Sequence, residues 1–337
     1  MTKFDVYGIG NALVDKEFEV TDKFFADHAI EKGMMTLVDE AQQDKLLHAL
    51  ENNFALKSQA GGGSAANTLY ALSQFGGNAF LSCRVANDEN GDFYLSQLGT
   101  HNIETNTASQ RGNGKTGRCL VMISPDAERT MLTYLGASGE ISTHELDLQA
   151  AQNSRYVYLE GYLVTSPDAK AAVIQLKKFA EANGVNTAMT FSDPAMVEYF
   201  QSDVNDVLGD GVDLLFCNER EALIWSATDS LQEACTALKQ KARRFAITRG
   251  SQGALLFDGQ QFVDIAAHPV KAIDTNGAGD MFAGAFLYAL TQQNDFPTAG
   301  KLASLAAATT VSHFGPRLPP EKHQHIIKQL DTPKRKS

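Results

Sequence analysis

One stretch of the chain combines residue types and spacing that suggest chemistry: Asp274-Thr275-Asn276-Gly277-Ala278-Gly279-Asp280, followed by the apolar run Met281–Leu290. The run has no proline and only Gly284 as a weak point, so it reads as a buried helix. Gly277, Ala278 and Gly279 then leave bare N–H groups at that helix's N-terminus. Unpaired donors and the positive end of the helix dipole favour an anion there, and the missing side chains let a phosphate approach the backbone. Asp280 falls in the first turn beside this anion hole. A carboxylate so placed can take the proton of an attacking hydroxyl while the amides hold the developing charge. A first-turn aspartate that only complements the dipole is the blander alternative; it leaves the two glycines and the second aspartate unexplained. The expected chemistry is phosphoryl transfer to an alcohol, with Asp280 as general base.

Such a site needs a frame. Short β-type runs occur at Phe4–Ile9, Ala79–Ser82, Tyr156–Leu159, Thr187–Phe191, Val212–Phe216, Phe245–Thr248 and Ala254–Phe257. Helix-length segments such as Asp168–Asn183 and Leu231–Arg243 lie between several of them. This alternation predicts a layered α/β sheet of parallel strands with crossover helices, and ligands of such sheets sit beyond the carboxyl ends of the strands. Two regions break the rhythm: Asp15–Val20 with Met34–Val38, and Thr116–Ile123 with Arg129–Tyr134. They read as a small β layer, either a lid or plain antiparallel edge strands. No internal repeat or interdomain linker interrupts the chain. The expected organisation is one domain over 1–325, with lid strands from about 15–38 and 103–134, and a basic tail over 326–337.

Two nucleotide motifs fail. Gly112-Asn113-Gly114-Lys115-Thr116 resembles the end of a P-loop, but Ser109 stands where the first glycine is required and the following segment reads as a strand. Gly8-Ile9-Gly10 lacks the third glycine of a dinucleotide fingerprint, since Leu13 holds that place.

Other stretches complete a different pattern. Gly10-Asn11-Ala12-Leu13-Val14-Asp15, Gly61-Gly62-Gly63-Ser64-Ala65-Ala66-Asn67, Cys217-Asn218-Glu219-Arg220-Glu221, Thr248-Arg249-Gly250-Ser251-Gln252-Gly253 and the Asp274–Asp280 stretch occur in that order. Together they resemble the signatures of the ribokinase family, the phosphofructokinase-B type of carbohydrate and nucleoside kinases. The resemblance covers residues 8 to about 315. It implies a three-layer α/β/α ribokinase-like fold with a small β-strand lid, ATP and Mg²⁺ as cofactors, and activation by a monovalent cation as a further option. By that resemblance Asp280 deprotonates the acceptor, and Gly277, Ala278 and Gly279 form the anion hole. Asp15, Gly62, Gly63 and Asn67 hold the sugar. Asn218 and Glu221 position Mg²⁺ and its waters near the phosphates, while Thr248, Gly250, Gly253 and Asn276 belong to the ATP site.

The residues allow these roles on their own chemistry. Asp15 at a strand end can accept from two vicinal hydroxyls, or be a surface charge. Asn67 lies off the apolar stripe Ala65, Leu69, Leu72 of the helix predicted over Ser64–Phe75, where a polar contact or plain solvation would both fit. Asn218 and Glu221, three apart after a strand, share a helical face; a simple helix cap is the alternative at Asn218. Mg²⁺ keeps several waters, so two hydrogen-bonding side chains suffice.

Within the family, Asn276, Glu128-Arg129-Thr130-Met131, Gly161–Pro167 and Phe191-Ser192-Asp193-Pro194 resemble the adenosine-kinase branch. That likeness implies Arg129 near the phosphates, Tyr162 stacked on a base, and Leu13 with Met131 as an apolar wall. The second aromatic expected near the Ser-x-Pro segment is absent, since Ala195 and Met196 follow Pro194. The expected reaction is transfer to the 5′-hydroxyl of a purine nucleoside. A free-sugar kinase for ribose or fructose is the alternative, and a non-catalytic nucleoside-binding protein a third.

Composition limits the other partners. The 337 residues carry 40 acidic and 29 basic side chains, a net charge of −11. That charge disfavours nucleic acid and anionic membranes, and the only basic run is Lys334-Arg335-Lys336. The four cysteines have no paired or metal-like spacing. No apolar stretch spans a membrane and no signal-peptide pattern opens the chain. A cytoplasmic protein acting on a small molecule is expected, as monomer or dimer.

Overall fold

The computed structural model describes residues 2–106 and 111–331. In chain order its strands are β1 (Phe4–Ile9), β2 (Leu13–Glu19), β3 (Met35–Leu37), β4 (Leu56–Gly62), β5 (Ala79–Ser82), β6 (Ile103–Glu104), β7 (Thr116–Ile123), β8 (Arg129–Gly136), β9 (Ser154–Leu159), β10 (Asn186–Thr190), β11 (Val212–Asn218), β12 (Ala242–Thr248), β13 (Ala254–Phe257) and β14 (Phe262–Ile265). They form two sheets. The larger has the order β14-β13-β12-β11-β10-β9-β1-β5-β6, the smaller β3-β8-β7-β2-β4.

From β12 to β6 the larger sheet is parallel; β13 and β14 are antiparallel additions. Strands such as β1 are buried along their whole length, as expected when helices cover both faces. One face packs on the helix Pro167–Ala182 through Ala172, Val173 and Leu176. The other packs on the helices Ser64–Gln74, Ala278–Thr291 and Phe296–Thr310, through Leu69, Phe286 and Leu302 among others. The chain therefore has the layered parallel sheet that its strand–helix alternation predicts, in the three-layer α/β/α form that the family resemblance implies. Strand order reverses at β1, which has β5 on one side and β9 on the other. The crevice beyond the carboxyl ends there is where such sheets bind ligands.

The smaller sheet has two unlike faces, because side chains alternate along a strand. Phe18, Leu120 and Met122 pack with Leu46, Leu47 and Leu50 of the helix Glu40–Asn53. Leu13, Asp15 and Glu17 take the opposite face of β2, and Cys119 pairs with Asp15 in register. That face turns toward the carboxyl ends of the larger sheet, where Leu13, Asp15, Cys119 and Met131 line a common cavity.

Two boundaries differ from the sequence-based expectation. Ile103–Glu104 pairs with β5 and so belongs to the larger sheet, while β4, which looks too polar to be a strand, is the missing edge of the smaller one. The final helix runs Pro320–Asp331, past the expected start of the tail at 326, because Ile326 is buried against the core. The Lys334–Lys336 run lies outside the described residues. Among the described residues, no helix is long and apolar enough to cross a membrane.

Candidate active site

Strand ends of both sheets and the N-termini of two helices build the site. The helix Ala278–Thr291 begins at Gly277, whose φ of 71° is left-handed and whose Cβ, if present, would run into Pro316. Ala278 N donates to Thr275 O only at 3.3 Å, and the Gly279 and Asp280 N–H groups have no carbonyl one turn earlier. Gly279 is exposed, with open space where a side chain would begin. A phosphate fits this cradle. Asp280 follows, half-buried, with Oδ1 accepting from Ser64 Oγ at 2.6 Å and Oδ2 from Asn67 Nδ2 at 3.1 Å. Burial raises its pKa above the ordinary aspartate value; the bonds from Ser64 and Asn67 and the charges of Arg129 and Arg317 oppose the rise.

Ser64 and Asn67 are held by the helix Ser64–Gln74, which starts at Gly63. Gly63 has φ 95°, and a side chain there would overlap the Asn11 carbonyl oxygen. Asn67 is buried rather than solvated, and its Oδ1 accepts from Arg317 Nε at 2.9 Å. Asp15 lies across the backbone of Gly62, where a Cβ would collide with its carboxylate. Burial raises the Asp15 pKa to about 7, against the pull of Arg317, and no hydrogen bond contributes. Its oxygens are therefore available to a ligand.

At the switch point, Glu160 follows β9 and Asn11 follows β1. Glu160 Oε1 accepts from Asn11 N at 3.1 Å and Asn11 Nδ2 at 3.0 Å, and Oε2 from Ala65 N at 2.7 Å. Burial pushes the Glu160 pKa up to about 7. Apolar side chains line the same cavity: Leu13, Met35, Met131, Leu135 and Tyr162. With its open mouth included, the cavity takes in about 750 Å³.

A second, shallower groove adjoins the first and contains Asn218, Thr248 and Gly250 at the ends of β11 and β12, with Asp193 nearby. Arg129 lines both spaces, with Nη1 3.7 Å from Asp193 Oδ2. Tyr162 faces the cavity, and its hydroxyl is 3.4 Å from both Ser192 O and Asp193 Oδ2.

Four expected ATP-site or metal-site positions look different in place. Asn218 caps the helix Glu219–Ser226 and forms a reciprocal capping box with Glu221: Glu221 N donates to Asn218 Oδ1 at 2.8 Å, and Asn218 N and Nδ2 donate to the two Glu221 oxygens at 2.9 and 2.7 Å. Each Glu221 oxygen keeps a second lone pair, so the pair fits a cation that retains its waters rather than one bound directly. Among the described residues no group of three or more His, Cys, Asp or Glu side chains could hold a metal by itself. Gly253 closes the turn between β12 and β13 and packs on the Ile265 backbone instead of lining the groove. Asn276 lines the cavity, but its Nδ2 donates to Glu17 Oε1 at 2.9 Å, so its amide ties β2 to the glycine loop.

Glu160, Ser64, Glu17 and Arg317 carry no assigned role in the sequence reading. A carboxylate directly after the apolar β9 run is a signal that could have found Glu160. Ser64 stands inside the glycine-rich motif. Nothing local marks Glu17 or Arg317, whose partners lie hundreds of residues away along the chain.

Known proteins resemble the whole chain. It is 26% identical to an adenosine kinase of Saccharomyces cerevisiae over 336 residues, covering 93% of this chain and 96% of that protein. The crystal structure of a probable sugar kinase from Rhizobium etli superposes with a TM-score of 0.91 at 32% identity, covering 98% of this chain and 100% of the other. An adenosine kinase from Sinorhizobium meliloti does so at 0.91 and 31%, covering 97% and 99%. A glycine-lined helix start with an aspartate in its first turn, beside a cavity closed by a second sheet, thus comes with likeness along the full chain. The family description "pfkB family carbohydrate kinase" matches residues 39–323, and the chain belongs to that family of phosphotransferases acting on hydroxyl groups.

Proposed function

We propose that this sugar or nucleoside kinase transfers the γ-phosphoryl group of ATP to the 5′-hydroxyl of a purine nucleoside. The observation that carries the reading is the mixed lining of the cavity. Asp15, Asn67 and Asp280 line it together with the apolar Leu13, Met35, Met131, Leu135 and Tyr162. The polar groups suit ribose. A free sugar, polar all round, gains nothing from the apolar side chains, whereas a purine would be covered by them.

In this reading Asp280 accepts the 5′-hydroxyl proton as that oxygen bonds to the γ-phosphorus. The bond from the γ-phosphorus to the β–γ bridging oxygen breaks, and ADP leaves. N–H groups of Gly277, Ala278 and Gly279 hold the phosphoryl oxygens, and Arg129, at the junction of the two spaces, supplies a positive charge. Asp15 accepts from the vicinal ribose hydroxyls above Gly62 and Gly63, with Asn67 beside it. Thr248 and Gly250 line the groove for the nucleotide. Bound Mg²⁺ would neutralise phosphate charge, with Asn218 and Glu221 holding its waters.

The polar groups alone would serve a free sugar, and the likeness to the Rhizobium etli probable sugar kinase supports that second reading. An ADP-release screen with Mg-ATP over nucleosides, ribose and fructose tests the choice. The highest kcat/KM should fall on a purine nucleoside; a maximum on ribose or fructose would remove the nucleoside reading.

A further inference from the structure

Arg317 has no task in the reaction just described, yet it stands directly behind it. It lies on the segment after the helix Phe296–Thr310, and Nε donates to Asn67 Oδ1 at 2.9 Å. Its guanidinium carbon sits 5.0 Å from the centre of the Tyr70 ring. Nη1 and Nη2 are buried without a hydrogen-bond partner. Burying a guanidinium with two nitrogens unsatisfied is costly, so its retention calls for a reason.

The reason lies in the symmetry of the Asn67 amide. An asparagine presents a carbonyl on one side and an NH₂ on the other, in nearly the same shape. Asp280 needs the NH₂ side, which donates to its Oδ2 at 3.1 Å. Turned over, the amide would put its carbonyl oxygen against the carboxylate. A donor on the far side removes that alternative, and Arg317 Nε is that donor. The same guanidinium is close enough for its charge to act on both Asp15 and Asp280.

We propose that Arg317 is a positioning residue for phosphoryl transfer: it fixes the Asn67 amide with Nδ2 toward Asp280 and supplies charge behind the Asp15–Asp280 pair. This rests on the reading of Asp280 as base and of Asn67 as an acceptor-site residue. The effect should concentrate on the acceptor side, because Arg317 lines neither the cavity nor the outer groove.

Steady-state kinetics of Arg317→Met, Arg317→Lys, Asn67→Ala and the Arg317→Met/Asn67→Ala double variant test it. The acceptor is whichever compound the wild-type enzyme phosphorylates best, so a wrong base identity leaves the test standing. Loss of one charge-assisted hydrogen bond predicts that Arg317→Met lowers acceptor kcat/KM roughly 10- to 150-fold. The KM for ATP should stay within about twofold, since that substrate is not touched. Arg317→Lys, which keeps the charge without the Nε fork, should recover part of the loss. In the Asn67→Ala background most of the Arg317→Met effect should vanish, because the two act as one unit. Independent, multiplying effects would overturn the proposal, as would equal shifts in both KM values or an unchanged kcat/KM in a folded Arg317→Met enzyme. If Arg317→Met does not fold, the same cycle with Arg317→Lys decides by its additivity. Full activity of an Asp280→Asn enzyme would sink the base assignment separately, while the coupling of Arg317 to Asn67 would still be read from the cycle.

Discussion

Asp280 keeps a raised pKa although Ser64 and Asn67 both donate to its carboxylate, because burial outweighs the bonds. A base must be deprotonated to act. The acid limb of kcat should therefore lie above the ordinary aspartate range, with activity falling as pH drops through it. Asp280→Asn should lower kcat by about 10²–10⁴ while the KM for ATP changes little, since the anion-hole backbone is untouched. Retention of more than about a tenth of kcat would end its role as base. Asp280, Asp15 and Asn67 were legible as candidates because each stands in a short motif at a strand end or helix start. Glu160 and Arg317 were not. Their significance comes from what they bond, Asn11 and Ala65 for one and Asn67 for the other, and no local pattern encodes contacts of that range.

Elements were legible where burial is complete. β1, β5 and β13 fall where largely apolar runs predict them, to the residue, since a strand covered on both faces is mostly apolar. β4, Leu-Lys-Ser-Gln-Ala-Gly-Gly, is an edge strand with mostly exposed side chains, and only its pairing with β2 makes it a strand. The segment Leu231–Arg243 reads as one helix, but the helix ends at Leu238 and β12 begins at Ala242, with no glycine or proline to mark the change. The helix Glu219–Ser226 offers a test at this scale. Glu221→Gln replaces an acceptor facing Asn218 Nδ2 with a donor and weakens the capping box, a loss of about 1 kcal/mol. Thermal denaturation should register that loss. If the pair also holds the waters of Mg²⁺, the Mg²⁺ concentration for half-maximal activity should rise as well. A lower Tm with unchanged Mg²⁺ dependence would leave Asn218 and Glu221 a cap and nothing more.

Across the whole molecule, the junction of the two sheets collects buried carboxyl groups. Burial raises Asp15, Glu160 and Glu221 to about 7 and Glu17 to about 8. Each binds a proton more tightly folded than unfolded, so each contributes stability below its unfolded pKa and loses it as pH rises through the folded value. His323, depressed to about 4 by burial, acts in the opposite sense, but it is one group against four. Without ligands, Tm should fall by several degrees between about pH 6 and pH 8; a flat or rising Tm would show that these carboxyls are ionised in the fold. In the proposed reading the same junction also sets the choice of substrate. Asp15 and Asn67 can serve the sugar of a nucleoside or free ribose alike, so discrimination must come from the wall that both sheets build: Leu13, Met35 and Met131 from the smaller, Tyr162 from the segment after β9. Covering and stacking a purine there is worth on the order of 1–3 kcal/mol, about 5- to 150-fold in kcat/KM if realised in the transition state. The Tyr162 hydroxyl lies within 3.4 Å of Ser192 O and Asp193 Oδ2, which fixes the ring before a base arrives and lowers the entropy lost on stacking. Ala195 offers no second ring, so the contribution rests on one aromatic face and the methionines. Tyr162→Ala should therefore reduce kcat/KM for a purine nucleoside by a factor in that range and leave residual turnover of free ribose nearly unchanged. Equal losses on both would mean that Tyr162 only supports the Ser192–Asp193 turn, and the preference for a nucleoside would have to be sought in Leu13, Met35 and Met131 alone.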